Sequence, residues 1–216
     1  MLVTEWMTHD PIVLGPDDAV GRAAEVMARR RVRRIPIVDP RRELVGIVTR
    51  SDVLGACPPD LNPFSVTAPS ERSLESPIRA IMSRPAITVS SDSPIEMAAQ
   101  LMVDRRVGGL PVVASGSVVG MLTESDVFRA FTAALGGRER GLRITFDLSQ
   151  GEDPVGFAVD LARRHRLIVG SVATYARGDS RRAVIRLVGD HSAEFLDELW
   201  RTGHRVLSVL RLTGSG

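Results

Sequence analysis

Val45-Gly46-Ile47-Val48-Thr49-Arg50-Ser51-Asp52-Val53 returns 74 residues later as Val119-Gly120-Met121-Leu122-Thr123-Glu124-Ser125-Asp126-Val127. Each copy reads as an apolar strand ending at a Thr-x-x-Asp that opens a helix. Upstream, Met7–Val38 lies on Met82–Val113 at a constant offset of 75, so the loop between the two alignments is one residue shorter in the second copy. Identities include Met7/Met82, Ile12/Ile87, Asp17/Asp92, Ala23-Ala24/Ala98-Ala99, Arg30-Arg31-Val32/Arg105-Arg106-Val107 and Pro36/Pro111. Small, apolar and acidic positions stay in step together, which marks a duplicated structural unit.

Each copy predicts the same element order. A short strand (Pro11–Leu14; Ala86–Val89) leads to a helix cap at Asp17 or Asp92. An amphipathic helix follows, with Ala23, Val26 and Met27, or Ala98, Leu101 and Met102, on one face. Two apolar strands come next, Ile35–Val38 and Val45–Val48, or Leu110–Val113 and Val119–Leu122. Gly55–Pro77 between the copies is rich in Pro and Ser and reads as a connector. Gly136-Gly137-Arg138-Glu139-Arg140-Gly141 marks a second boundary.

Past it the pattern changes. Leu142–Leu148 alternates as a strand, and Pro154 opens a helix with Phe157, Ala158 and Leu161 on its apolar face. Leu167–Ala176 and Arg181–Val188 form a hairpin pattern, followed by a helix over His191–Thr202 and a strand over Arg205–Leu212. The order βαββαβ is ferredoxin-like. The expected class is therefore α/β (α+β), with two β-α-β-β-α repeats and a C-terminal ferredoxin-like domain. The division is 1–56, a connector at 57–76, 77–135, a linker at 136–141, and 142–212.

Composition narrows the function. The 216 residues are 44% hydrophobic and 25% charged, as in globular proteins, and the single Cys57 excludes a disulfide scaffold. No apolar run reaches about 18 residues, and Met1–Trp6 has no basic, then apolar, leader pattern. A cytoplasmic protein without membrane association is expected. All 28 basic residues are arginine, so a net charge of only +2 still carries the isoelectric point to about 9.4. Near-balanced charge and 4% aromatic residues give little for nucleic-acid binding, although Arg29–Arg34 and Arg163-Arg164-His165-Arg166 could meet phosphates. Without lysine there is no Schiff-base or P-loop lysine. His9, His165, His191 and His204 are scattered without zinc spacing, and no Gly-x-Ser-x-Gly elbow occurs. No catalytic residue, metal or obligatory cofactor is expected.

The duplicated Thr-x-Ser-Asp has two compatible readings. As a capping box, the hydroxyl meets a free backbone N–H and the carboxylate reaches back. As a site, a helix N-terminus suits a phosphate, and a carboxylate one turn on can accept both hydrogen bonds of a ribose diol. Arg33-Arg34 precede the proline strand in the first copy where Gly108-Gly109 stand in the second. Either they add forked phosphate contacts, or they belong to a solvated helix end.

Residues 1–135 resemble a tandem pair of CBS domains, a Bateman module. The matching features are Met7…Pro11-Ile12-Val13, Ile35-Pro36-Ile37-Val38 and Val45-Gly46-Ile47-Val48-Thr49-x-x-Asp52, each with its second copy. The resemblance implies units packed sheet to sheet, with two clefts related by a pseudo-twofold axis. It also implies an adenosine-containing regulatory ligand (AMP, ADP, ATP, S-adenosylmethionine or NAD). It assigns Thr49, Asp52, Ile12, Val13, Ile35 and Pro36 to one cleft, which Arg33 and Arg34 join as ligand contacts if they are phosphate-binding and not a solvated helix end. Thr123, Asp126, Ile87, Thr88, Leu110 and Pro111 go to the other. A homodimer and a regulated partner protein are implied. Residues 142–212 resemble an ACT domain through Asp153-Pro154-Val155-Gly156, with Pro and Gly shifted from the family spacing, which carries Gly156 over as a second-ligand contact. The domain order is similar to the acetoin-utilisation AcuB type. The alternatives are a structural or dimerising scaffold with empty clefts and an arginine-mediated nucleic-acid binder.

Overall fold

The computed structural model describes residues 1–57, 72–136, 140–149, 154–189 and 192–212. Most of the expected connector, positions 58–71, lies outside them, as do 137–139, Asp153 and His191. The chain divides into two compact units, Met1–Ala130 and Phe131–Gly216.

In the first unit, repeat one comprises α1 (Val20–Arg30), β2 (Arg34–Val38), β3 (Leu44–Thr49) and α2 (Arg50–Gly55), preceded by β1 (Thr8–His9). Repeat two comprises β4 (Val89–Ser90), α3 (Ile95–Arg105), β5 (Gly109–Ala114), β6 (Ser117–Thr123) and α4 (Glu124–Ala134). Helix α1 turns Val20, Ala23, Ala24, Val26 and Met27 onto Ile35, Ile37 and Val48 of the β2–β3 hairpin. Burying these side chains stabilises the layer, at roughly 1.5–3 kcal/mol for each large one. The expected faces are observed, with Ala98 and Met102 buried on α3 and Leu101 half-buried.

The lead-in segments differ from expectation. Instead of a strand over Pro11–Leu14, only Leu14 bridges Ile37, in parallel, and Val89–Ser90 alone pair with Val112–Val113. The earlier part of each segment pairs with the opposite repeat. Thr8–His9 run antiparallel to Met121 and Gly120, and Ser83 bridges Ile47. Pro11 and Pro85 stand between the two pairings, where the absence of an N–H ends a ladder. The first repeat thus lends strand β1 to the sheet of the second, and the second reaches the first through the Ser83–Ile47 bridge, before each returns to its own sheet. The motif glycines make room for this exchange. A Cβ on Gly46 would come within 2.8 Å of Met82 Sδ, and one on Gly120 would overlap Met7 Sδ.

Asp17 and Asp92 do not cap the helices. The N-cap positions are Ala19 and Pro94, neither with a side-chain bond. The first helical N–H groups are met by main-chain carbonyls, Val20 N to Ser76 O at 2.9 Å and Ile95 N to Met1 O at 3.1 Å. A backbone acceptor from another segment removes the need for a capping side chain. Asp17 pairs with Arg79 instead, and Asp92 accepts from Ser90 Oγ.

The second unit is an antiparallel sheet in the order β10-β7-β9-β8, with β7 (Gly141–Asp147), β8 (Ile168–Arg177), β9 (Ser180–Val188) and β10 (Val206–Leu212). Helices α5 (Pro154–Arg164) and α6 (Ser192–Arg201) complete the βαββαβ order. Phe146, Ile144, Leu161, Ile185 and Phe195 form its core. Glu198 on α6 ties to α5 through His165 Nε2 (2.8 Å) and Arg164 Nη1 (2.6 Å). The His165 hydrogen bond, then the Arg164 charge, hold the Glu198 carboxyl below its usual range.

Candidate functional site

In both copies of the tetrapeptide the aspartate accepts from the threonine N–H and hydroxyl. Thr49 donates both its N–H and its hydroxyl to Asp52 Oδ2, each at 2.7 Å, and Asp52 N–H returns to Thr49 Oγ1 at 3.3 Å. Thr123 makes the corresponding bonds to Asp126 Oδ2 at 2.7 and 2.6 Å. The full capping box is present at Thr49, and at Thr123 the carboxylate reaches back in the same way. The remaining oxygens differ. Asp126 is 4% exposed, and its Oδ1 is held by Arg129 one turn along α4. At the position matching Arg129 stands Gly55, with open space around it, and Asp52 is only half-buried.

Two cavities flank the caps. The first, about 500 Å3, is lined by Thr49, Arg50, Ser51 and Leu54 from repeat one and by Ser83, Pro85, Ala86 and Ile87 from the second lead-in. Ile47, Arg106, Val107, Gly108, Gly109, Arg33 and Arg34 complete it. The second, about 440 Å3, joins Thr123, Glu124 and Ser125 to Thr8, Asp10, Pro11 and Ile12, with Arg31–Arg34, Pro36, Gly108 and Met121. Both volumes fall in the range of small-molecule sites.

The expected residues are redistributed. Ile12 and Pro36 line the cavity of Thr123, and Ile87 lines that of Thr49; Ile12 and Ile87 are carried there because each lead-in segment pairs with the other repeat. The assignment of each cleft to one repeat is corrected accordingly. Ile35 and Leu110 are fully buried in the core and line neither cavity. Neither do Val13, Pro111, Asp52 and Asp126. Thr88 lines a separate surface hollow with Glu43, Val45 and Val113. Gly156 sits in the first turn of α5, not in a strand-to-helix loop, because the helix begins at Pro154.

The arginine run splits by position. Arg29 and Arg30 end α1, and Arg29 pairs with Glu25 at 3.1 Å. Arg31 and its counterpart Arg106 cap their helices with φ of 55° and 53°. A left-handed non-glycine residue is uncommon, and both lie at a cavity wall. Arg33 and Arg34 line both cavities. A Cβ on Gly108 would overlap Arg34 Nη2 and come within 2.7 Å of Glu124 Oε2, while one on Gly109 would lie 3.1 Å from Arg34 Cδ. The Arg-Arg/Gly-Gly asymmetry thus has a steric cause, since Arg34 occupies the room that a matching side chain would need. Sequence reasoning missed Arg50, Glu124, Arg106 and Asp10 as lining residues. Arg50 and Glu124 were already aligned by the repeat, as the variable position of Thr-x-Ser-Asp.

The CBS domain family matches residues 3–58 and 78–133, more than half of the chain. The chain belongs to the CBS domain family. The CBS domain pair of protein MJ0100, in complex with 5′-methylthioadenosine and S-adenosyl-L-methionine, is 29% identical with a TM-score of 0.52, covering 63% of this chain and 97% of that one. A putative acetoin utilisation protein (AcuB) from Vibrio cholerae is 27% identical with a TM-score of 0.52, covering 71% and 98%. CBSX2 of Arabidopsis thaliana in complex with AMP is 27% identical with a TM-score of 0.51, covering 60% and 95%. The chain spans about half or less of the length of several curated relatives that it matches.

Among the described residues no three His, Cys, Asp or Glu side chains gather as a metal group, and no helix is long and apolar enough to cross a membrane. His9 contacts Thr4 O at 3.0 Å, and His204 stacks obliquely on Phe157 at 4.9 Å.

Proposed function

We propose that the CBS pair is a non-catalytic regulatory sensor of an adenosine-containing ligand: AMP, ADP, ATP, S-adenosylmethionine or NAD. The observation that carries this reading is the pair of cavities, each built jointly by both repeats around a Thr-x-Ser segment. A ligand seated there touches both repeats and so has unequal affinity for different arrangements of them, which is what a sensor requires. The neighbours solved with AMP, and with 5′-methylthioadenosine and S-adenosylmethionine, support the adenosine class. In this reading Thr49 and Thr123, which line the two cavities, meet phosphate. Ile12, Pro36 and Ile87 contact the base.

The C-terminal domain is read as ACT-like, transmitting the signal or adding an input, in a cytoplasmic homodimer that acts on a partner protein. A second reading, a scaffold with vacant clefts, is favoured at the Thr123 side by the burial and Arg129 pairing of Asp126. A thermal-shift panel separates the two. A bound ligand at 100 times its Kd raises stability by about 2.7 kcal/mol. No shift with any of the five ligands refutes the sensor.

A further inference from the structure

The two clefts share a backbone plan but not a charge. Arg50 at the first stands where Glu124 stands at the second, and Pro85 where Asp10 stands. Arg106 and Arg31 correspond, and Arg33 and Arg34 belong to both linings. The described lining of the first cleft therefore carries four arginines and no acid. That of the second sets three arginines against Asp10 and Glu124. Glu124 Oε2 and Arg34 Nη2 both lie against the point where a Cβ on Gly108 would stand, so a carboxylate of the second lining sits near the shared arginine.

We propose that the cleft of Thr49 is the polyphosphate site of the pair, taking the phosphate chain of a nucleoside di- or triphosphate, and that the cleft of Thr123 rejects such a chain. Guanidinium groups stay charged at any physiological pH and hold phosphate oxygens in forked, charge-assisted hydrogen bonds. A concave wall concentrates their field, whereas the two carboxylates in the second lining offset part of it. The volume of about 500 Å3 leaves room for a nucleoside beside Ile47, Leu54 and Ile87. The nucleoside half of this proposal rests on the sensor reading; the phosphate half rests on the arginines alone.

Isothermal titration of the full chain with AMP, ATP and inorganic tripolyphosphate tests it, repeated with Arg50→Glu and Glu124→Arg. Both positions are exposed, so the variants keep the fold, which their melting curves verify. The wild type is expected to bind one ATP at least about tenfold more tightly than AMP, the worth of one added charge-assisted contact. Tripolyphosphate should compete for that site, Arg50→Glu should remove the preference, and Glu124→Arg should raise the ATP stoichiometry from one to two. Equal affinity for AMP and ATP, or an unchanged ATP affinity in Arg50→Glu, overturns the proposal. If tripolyphosphate binds the wild type but not Arg50→Glu and no adenosine ligand binds, the polyphosphate site stands and the adenosine reading falls. If AMP and adenosine bind without any preference for added phosphates, the reverse holds.

Discussion

The two CBS repeats differ least where they pack and most where they face the cavities. Ile35 and Leu110, Gly46 and Gly120, and Met82 and Met7 hold matching places in the fold. Arg50 and Glu124, or Arg34 and Gly109, hold matching places with opposite or absent charge. Packing is a volume constraint and both repeats meet the same one. A cavity wall imposes no such constraint, so its side chains can diverge without cost to the core.

Breaking the shared part should damage both halves alike. Ile35→Ala and Leu110→Ala each remove a fully buried side chain, and each should cost about 2–5 kcal/mol. Chemical denaturation measures this; loss of ligand affinity with unaltered stability would restore these residues to the binding site. Next in size, Gly46→Ala drives a methyl against both Met82 and the Ser83 carbonyl, at roughly 1–3 kcal/mol, and Gly120→Ala costs less because only the Met7 side chain must move. Unchanged midpoints in both variants would contradict the strand exchange.

The paired acids sharpen the contrast. Asp126→Ala strips a buried cap and leaves Arg129 without its carboxylate, so about 1–3 kcal/mol should be lost. Asp52→Ala, at a half-buried cap, should cost about 1 kcal/mol. Equal losses would mean that the two acids are held alike.

The smallest expected effect concerns the second unit. Glu198 has a carboxyl depressed in the folded state, so its contribution is complete above the ordinary carboxylate range and is lost as the pH falls from that range down through the lower folded value. Melting of the full chain should drop on acidification through that range, and Glu198→Gln should flatten the dependence. An identical pH profile in the variant would remove the link between α5 and α6 as its source.

Much of this was legible in the residues. The twofold motif gave the repeat, the apolar periodicity gave α1, α3 and the paired strands, and Thr49–Asp52 and Thr123–Asp126 cap as local chemistry requires. The lead-in strands and the helix caps were misplaced. Thr8 pairs with Met121 and Val20 N–H with Ser76 O, partners that no local pattern announces.

The sequence by itself determined what depends on near neighbours: the duplication, the helical faces, the two caps, the βαββαβ order and the arginine-only charge. Tertiary structure alone decided that strands cross between repeats, that Ile12 therefore shares a cavity with Thr123 and Ile87 with Thr49, and that Arg34 takes the room left by Gly108 and Gly109. The reason is that hydrogen-bond registers and excluded volume between distant segments are settled only when the whole chain has closed on itself.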